Sequence, residues 1–199
     1  MRKLVLFACT YAIISFATSA RAQVDIAVGG GTLFSAKSSS ASLAFPPPPE
    51  RGGLYPSASF QLMLKEHLGV NVEGAFRYRQ AFYNGYQAYR PILYDVNAVY
   101  SKPVSDRMRL DLMAGGGGQS VLFYNQYGTC SPAYSGNCRI STNSNHFLVH
   151  VGGDLRYYFW RNFFARPEAH YYYILNNTEF HSKNVLRLGA SIGYTFGSK

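Results

Sequence analysis

The sequence predicts an all-β fold, an eight-stranded antiparallel up-and-down transmembrane β-barrel preceded by a cleaved signal peptide. Three observations predict it. Apolar and polar residues alternate along eight segments, the pattern of a strand with two different faces. Most of the segments are long enough for a tilted membrane-spanning strand, which needs about 9–11 residues, whereas strands of soluble sheets usually have about five or six. The connections between them are alternately short and long, as in a barrel with tight turns at one end and loops at the other.

The first 22 residues have the three parts of an export signal. These are a basic start, a short apolar core and small residues before a cleavage site (Arg2 and Lys3, Leu4–Phe16, and Ala20–Ala22). We therefore expect a signal peptide over 1–22 and a barrel domain over 23–199. A retained anchor fits less well, because the core is shorter than the roughly 20 residues of a transmembrane helix. Lipidation at Cys9 would divide the apolar core in two.

The chain is basic, with a formal net charge of +9. Three of the basic residues (Arg2, Lys3 and Arg21) lie in the leader, and the others are spread singly along the chain. Because no run of Lys and Arg reaches the length of a polyanion-binding patch, we predict no nucleic-acid partner.

The predicted strands are 24–34, 54–64, 68–79, 89–101, 107–122, 146–159, 163–174 and 184–197. The short connections are 65–67, 102–106 and 160–162; the long ones are 35–53, 80–88, 123–145 and 175–183. An even number of strands puts both termini at the end with the short turns, the short-turn end. In an outer membrane that end is expected to face the periplasm, and the opposite, loop end the exterior.

One face of these strands carries the charges. Six arginines, six carboxylates and two histidines share it: Asp25, Glu73, Arg77, Arg79, Asp95, Arg109, Asp111, His150, Asp154, Arg156, Arg166, Glu168, His170 and Arg187. An arginine facing lipid at mid-membrane would cost roughly 2–4 kcal/mol, so we expect the charges to pair inside the lumen.

The alternative is a soluble barrel or sandwich with the charged face in water. Strand length, the alternating connections and aromatic residues at both strand ends favour the membrane. The aromatic residues are Tyr100, Phe159, Trp160, Phe163, Tyr194 and Phe196 at the short turns, and Phe76, Tyr78, Tyr89, Phe123, Phe147 and Tyr171 at the loops.

Two stretches carry a family resemblance: "VGGDLRYYFWRNFFARPEAHYYYI" (151–174) and "VLRLGASIGYTFG" (185–197). With strand, tight turn, strand and a final aromatic strand, the chain resembles the OmpA-like outer-membrane β-barrel superfamily of eight-stranded barrels, such as the OmpX and opacity-protein types. The resemblance implies that the last strand, with Tyr194 and Phe196, is the signal for the barrel-assembly machinery. The chain departs from the usual pattern of this signal, because Gly197, Ser198 and Lys199 follow the final aromatic residue, Phe196.

Candidate chemistry is sparse. The glycine runs Gly29–Gly31 and Gly115–Gly118 lie within strands and open no helix, so we interpret them as packing space. Some barrels of this type deacylate lipid A with a His-x-Ser motif and a glutamate, but His181 and Ser182 are adjacent here, and Tyr171 and Tyr172 follow His170. We predict no catalytic residue, no cofactor and no metal site.

The long loops are the expected functional surface. Cys130 and Cys138 are the only cysteines after the leader, and in an exported chain they indicate a disulfide, with a free or metal-bound pair as the alternative. The loops also carry four prolines (Pro46–Pro49) and basic residues suited to lipopolysaccharide phosphates (Lys37, Arg51, Arg139 and Lys183). A surface ligand could bind at 35–53 or 123–145. We therefore predict a non-enzymatic structural or surface-interaction protein in the outer membrane, the alternative being a narrow porin-like channel.

Overall fold

The computed structural model describes residues 23–35, 49–83, 87–124, 141–180 and 182–197. The predicted signal peptide (1–22), the two cysteines of the predicted disulfide (Cys130 and Cys138) and most of the first and third long connections lie outside the described residues. The described part contains no helix that is long and apolar enough to span a membrane.

The described chain forms one antiparallel sheet. Its strands are β1 (Gln23–Ser35), β2 (Tyr55–Met63), β3 (Leu68–Phe76), β4 (Ala81–Tyr83), β5 (Gln87–Ser105), β6 (Met108–Tyr124), β7 (Ser141–Trp160), β8 (Phe163–Ile174) and β9 (Asn184–Phe196). All except β4 form a ring in the order β3-β2-β1-β9-β8-β7-β6-β5, which the β3–β5 pairing closes. The predicted eight-stranded up-and-down barrel is confirmed.

Two seams complete the ring. The terminal strands β1 and β9 pair from Val24–Phe196 to Ser35–Val185. Strands β3 and β5 pair from Leu68–Tyr100 to Phe76–Ile92. Because both seams are paired, the ring of described strands has no open edge strand, which is the condition for a sheet to lie in lipid.

Several predicted boundaries are wrong. The stretch 80–88 was predicted as a loop, but it contains β4, which pairs with the loop end of β5 from Ala81–Tyr89 to Tyr83–Gln87. Strand β3 ends at Phe76 instead of continuing to residue 79. The Arg77 amide still donates to the Pro91 carbonyl (3.0 Å), but proline has no N–H to return, and the pairing stops there.

The two faces of the barrel are opposite in character. Large apolar side chains are exposed on the outer face, among them Val28, Val70, Val96, Leu112, Val149, Val151, Leu188 and Ile192. The buried charged and amide side chains lie on the inner face. Since a soluble barrel would have the reverse arrangement, the outer face is suited to lipid and not to water.

Aromatic side chains surround the short-turn end. Trp160 and Phe163 stack with ring centroids 5.5 Å apart, and Phe163 contacts Tyr194 edge-on at 4.8 Å. Phe196 follows at 4.7 Å from Tyr194 and is half exposed. Such a group of outward rings is typical of the boundary between lipid and water.

Candidate functional site in the barrel interior

The barrel interior contains three successive groups of side chains. Nearest the short turns is the short-turn cluster, built around Arg156. The central cluster around Arg166 and Arg187 follows. Towards the loops lies the apolar layer, which consists of Leu33, Tyr55, Leu93, Leu148, Tyr172, Ile174 and Val185.

The short-turn cluster is an arginine held by two carboxylates. Arg156 is 1% exposed and donates to Asp25 through Nη1 and to Asp111 through Nη2. Gln23 Nε2 donates to both Asp25 oxygens (3.1 and 3.2 Å), and the Arg156 guanidinium lies 5.1 Å from the centre of the Phe164 ring. Strands β1, β6 and β7 each supply one charged partner, so the cluster joins distant parts of the ring.

The central cluster links two arginines through Glu168. Arg166 Nη2 lies 3.1 Å from Glu168 Oε2, and Arg187 Nη2 lies 3.2 Å from Glu168 Oε1. Arg187 also donates to Glu73 on the opposite wall, and Arg166 Nη1 approaches Asp154 at 3.6 Å. These bonds cross the lumen and fill its middle with side chains.

A chain of polar contacts next to this cluster orients two histidines. Asn97 Nδ2 donates to Asp95, which turns the Asn97 oxygen towards His150 Nδ1 at 2.7 Å. His150 Nε2 then lies 3.0 Å from His170 Nδ1. The second nitrogen of His170, Nε2, has no hydrogen-bond partner within the described residues and lies 3.9 Å from Glu73 Oε2 and 3.8 Å from Glu168 Oε1.

The apolar layer lies above these charges in the lumen. Its seven side chains are each at most 1% exposed and come from β1, β2, β5, β7, β8 and β9. Beyond it lies an aromatic cap, in which Phe180 of the last long connection packs on Tyr89 (5.0 Å between ring centroids), Tyr83 (5.8 Å) and Phe123 (6.4 Å). Tyr89 and Phe123 were predicted to lie in the outer aromatic belt, but the cap draws them to the inside.

A carboxylate is buried at the mouth of the barrel. Glu50, just before β2, is fully buried, and Gln119 Nε2 donates to both of its oxygens at 2.6 Å. Burial raises the pKa of Glu50 to about 7, although the Gln119 hydrogen bond and the Arg77 charge act to lower that pKa. The group therefore titrates near neutral pH.

The structure places most of the predicted lumen residues in the interior of the barrel, but not all of them. All are buried in the interior except Arg77, Arg79 and Arg109. Arg79 is exposed, which contradicts the prediction: it follows the end of β3, where alternation no longer determines direction. Arg77 lies half buried at the mouth near Glu50. Arg109, also half buried, donates to Gln23 Oε1 (3.1 Å) at the short-turn end.

The interior is consequently more acidic than the sequence pattern indicated. Among the described residues, six buried lumen carboxylates (Asp25, Glu73, Asp95, Asp111, Asp154 and Glu168) surround three buried arginines (Arg156, Arg166 and Arg187). The predicted balance of six and six does not hold in the buried interior. Buried charge without compensation is costly, so the acidic excess requires protons or other cations.

A further polar cluster, the Glu179 cluster, lies at the loop end, was not predicted from the sequence, and consists of Ser144, His146 and Glu179. Ser144 donates to Glu179 Oε1, while His146 Nε2 lies 2.9 Å from Glu179 Oε2 and 3.1 Å from Ser144 Oγ. Burial acts to raise the pKa of Glu179, but hydrogen bonds and the nearby His146 lower it below its ordinary value. The residue types are those of a hydrolase triad, but the contacts differ. In a triad the serine and the carboxylate bind opposite nitrogens of the histidine ring, whereas here both Ser144 and Glu179 contact Nε2 of His146, and they also contact each other. The histidine is thus not oriented as a general base for Ser144.

Comparison with solved structures agrees with this architecture. The chain is similar to the N-terminal β-barrel domain of OprF from Pseudomonas aeruginosa (TM-score 0.56, 15% identity, 87% of this chain and 97% of that one). It is also similar to Neisserial surface protein A (0.60, 13%, 89% and 98%) and to Ail of Yersinia pestis, solved with the heparin analogue sucrose octasulfate (0.58, 14%, 88% and 99%).

The fold is that of the eight-stranded outer-membrane β-barrels. At these identities the likeness establishes the fold and leaves function to the residues. No protein-family model and no curated protein matches the chain.

Proposed function

We propose that this chain is a non-enzymatic outer-membrane protein with a closed lumen, which acts through the surface that its loop end presents. The observation that carries the proposal is the apolar layer. A hydrophobic section across a narrow pore excludes water and ions, because an ion there loses its hydration without gaining a partner. The narrow-channel alternative would require this layer and the aromatic cap to move aside.

The lengths of three strands support a role at the surface. Strands β5, β6 and β7 have 19, 17 and 20 residues, whereas about 9–11 suffice to cross a membrane. The extra residues of β6 and β7 lie at the loop end, around the aromatic cap and the Glu179 cluster, whereas those of β5 lie at both ends of the strand. We infer that these strands extend beyond the lipid and hold the loops away from its surface.

We place the termini and short turns in the periplasm and the long loops outside the cell. The support is the outer-membrane fold of the similar structures together with the aromatic rings and tight turns at one end. Insertion would rely on the assembly machinery, with Tyr194 and Phe196 of β9 as its signal.

The expected ligands are anionic. Exposed basic residues lie at the loop end (Arg51 and Lys183), and the loop segments outside the described residues add Lys37 and Arg139. Ail, which has the same fold, was solved with a sulfated sugar. We propose lipopolysaccharide phosphate groups as the partner, contacted through loops 35–53 and 123–145.

Loop replacement tests this proposal. In one variant a short Gly-Ser linker replaces 125–140, in another it replaces 36–48, and each is checked for folding by heat-modifiable gel migration. We expect binding to immobilised lipopolysaccharide to fall in at least one variant, while a control carrying Lys102→Gln at the short-turn end binds like wild type. If both folded loop variants retain full binding, the loops are not the interaction surface.

A further inference from the structure

We propose that the centre of the lumen is a binding site for one divalent transition-metal ion, with Glu73, Glu168 and His170 as its ligands. One donor atom from each residue lies within 4.8 Å of the other two, and all three residues are buried. They come from β3 and β8, on different parts of the ring.

The tautomer of His170 is the first reason to propose a metal site here. Asp95 accepts from Asn97, which fixes the Asn97 oxygen as the acceptor facing His150 Nδ1. His150 must then donate through Nδ1, and its Nε2 accepts from His170 Nδ1. In the neutral ring, His170 Nε2 is therefore left with a lone pair.

That lone pair points towards two carboxylates. His170 Nε2 lies 3.9 Å from Glu73 Oε2 and 3.8 Å from Glu168 Oε1, and neither His170 Nε2 nor Glu73 Oε2 has a hydrogen-bond partner within the described residues. Both residues are at most 2% exposed. Arg187 Nη2 donates to Glu168 Oε1, but His170 Nε2 and Glu73 Oε2 face each other as acceptors without a donor among the described residues and repel, unless a cation lies between them.

The distances suit a metal ion. His170 Nε2 lies 3.8–3.9 Å from each oxygen, and the three donor atoms lie within 4.8 Å of one another, so small side-chain movements would bring all three to the zinc–nitrogen and zinc–oxygen bond lengths of roughly 2.0–2.2 Å. Metal-binding histidines typically donate their other ring N–H to a polar partner that fixes the ring. The contacts from Asp95 through Asn97 and His150 form such a support.

The local charge gives an independent reason. The central cluster and its histidine support contain four buried carboxylates (Glu73, Asp95, Asp154 and Glu168), with two buried guanidinium groups, Arg166 and Arg187. If all four are ionised, the formal excess is two negative charges, which one divalent ion neutralises. Glu73 can pair with Arg187 and bind the ion at the same time, because its Oε1 contacts Arg187 while its Oε2 faces His170.

Cobalt titration of the refolded protein tests the site. The chain is refolded from denaturant into detergent after removal of metals, with Co²⁺ or Zn²⁺ in the refolding buffer so that entry into a closed lumen is not limiting. We expect one tightly held ion per folded barrel, a Co²⁺ visible spectrum with imidazole and carboxylate ligands, and loss of that spectrum when Zn²⁺ competes with Co²⁺ during refolding.

Variants locate the ion. Glu73→Gln and His170→Gln should each weaken Co²⁺ binding at least about 100-fold, beyond the 10–100-fold typical of losing only a supporting residue. The matched control is Asp25→Asn, a lumen carboxylate equally buried but bonded to Arg156 outside the site, and its affinity should stay at the wild-type value. The proposal fails if folded wild-type protein holds no Co²⁺ or Zn²⁺, a result that needs no variant to fold. It fails equally if folded Glu73→Gln or His170→Gln binds the ion as wild type does.

Discussion

Arg156 shows how single side chains hold this barrel together from inside. Its guanidinium contacts Asp25 on β1 and Asp111 on β6 and lies over the Phe164 ring. In water such pairs contribute little, but at 1% exposure each partner depends on the other for compensation. The cost of removing one partner is then mainly that of the charges left behind.

Replacing Arg156 by methionine should destabilise the barrel by about 3–5 kcal/mol, because Asp25 and Asp111 would remain buried without their cation. Arg109→Gln is the control: Arg109 is half buried, and its loss should cost about 1 kcal/mol or less. Urea unfolding in lipid vesicles measures both. Equal effects of the two substitutions would contradict a buried ion pair at Arg156.

Glu50 should make stability depend on pH. The pKa of Glu50 in the folded protein, about 7, lies above the ordinary value of 4.5. The contribution of Glu50 to folding stability is therefore fully present below pH 4.5, where the carboxyl is protonated, and is lost as the pH rises through 7. Relative to wild type, Glu50→Gln should therefore gain stability between pH 4.5 and 8, by about 3 kcal/mol at most. Unfolding free energies of both proteins across this range measure the difference, and a constant difference would show that Glu50 does not titrate there.

Alternation predicted the direction of most lumen side chains but not their partners. The inward position of Arg166, Glu168 and His170 follows from parity along β8. Arg79 was misplaced because Pro91 on the neighbouring strand ends the pairing of β3, an effect that one strand considered alone does not reveal. The apolar layer was missed for a related reason: Leu33, Leu93 and Leu148 share the inner face with the charges, and only the register brings them to one level.

At the scale of the elements, glycines determine how closely neighbouring strands approach. A Cβ on Gly117 of β6 would clash with the Tyr94 carbonyl oxygen of β5, while one on Gly74 of β3 would meet nothing within 4 Å. The packing role predicted for the Gly115–Gly118 run therefore has a definite neighbour at Gly117, the backbone of the next strand.

Gly117→Ala should cost about 1–3 kcal/mol or more, because strand backbones would have to separate. Gly74→Ala, on the outer face, should leave stability unchanged or slightly raised. Folding yield in detergent and the urea midpoint compare the two variants. A normal Gly117→Ala barrel would mean that β5 and β6 have room to separate there.

The short β4 also marks the limit of prediction from strand patterns. Three residues are too few to show alternation, so the stretch 80–88 was predicted as a loop. A signal was present in Asn84-Gly85, a dipeptide that favours hairpin turns. The long strands, by contrast, were predicted because many residues repeat the same two-residue period.

At the scale of the whole molecule, different kinds of side chain fill the lumen along its length. Ion pairs fill the short-turn half, the apolar layer crosses the lumen above them, and Phe180 with its aromatic neighbours covers the loop end. An eight-stranded barrel has an interior just wide enough for side chains. Those side chains occupy the space that a channel would need.

Single-channel recording in a planar bilayer tests the closed lumen most directly. Folded protein, verified on the same sample by heat-modifiable migration, should give no stable unitary currents. Stable small currents that change when Arg166→Gln is introduced would show a water-filled path through the central cluster and would contradict a closed lumen.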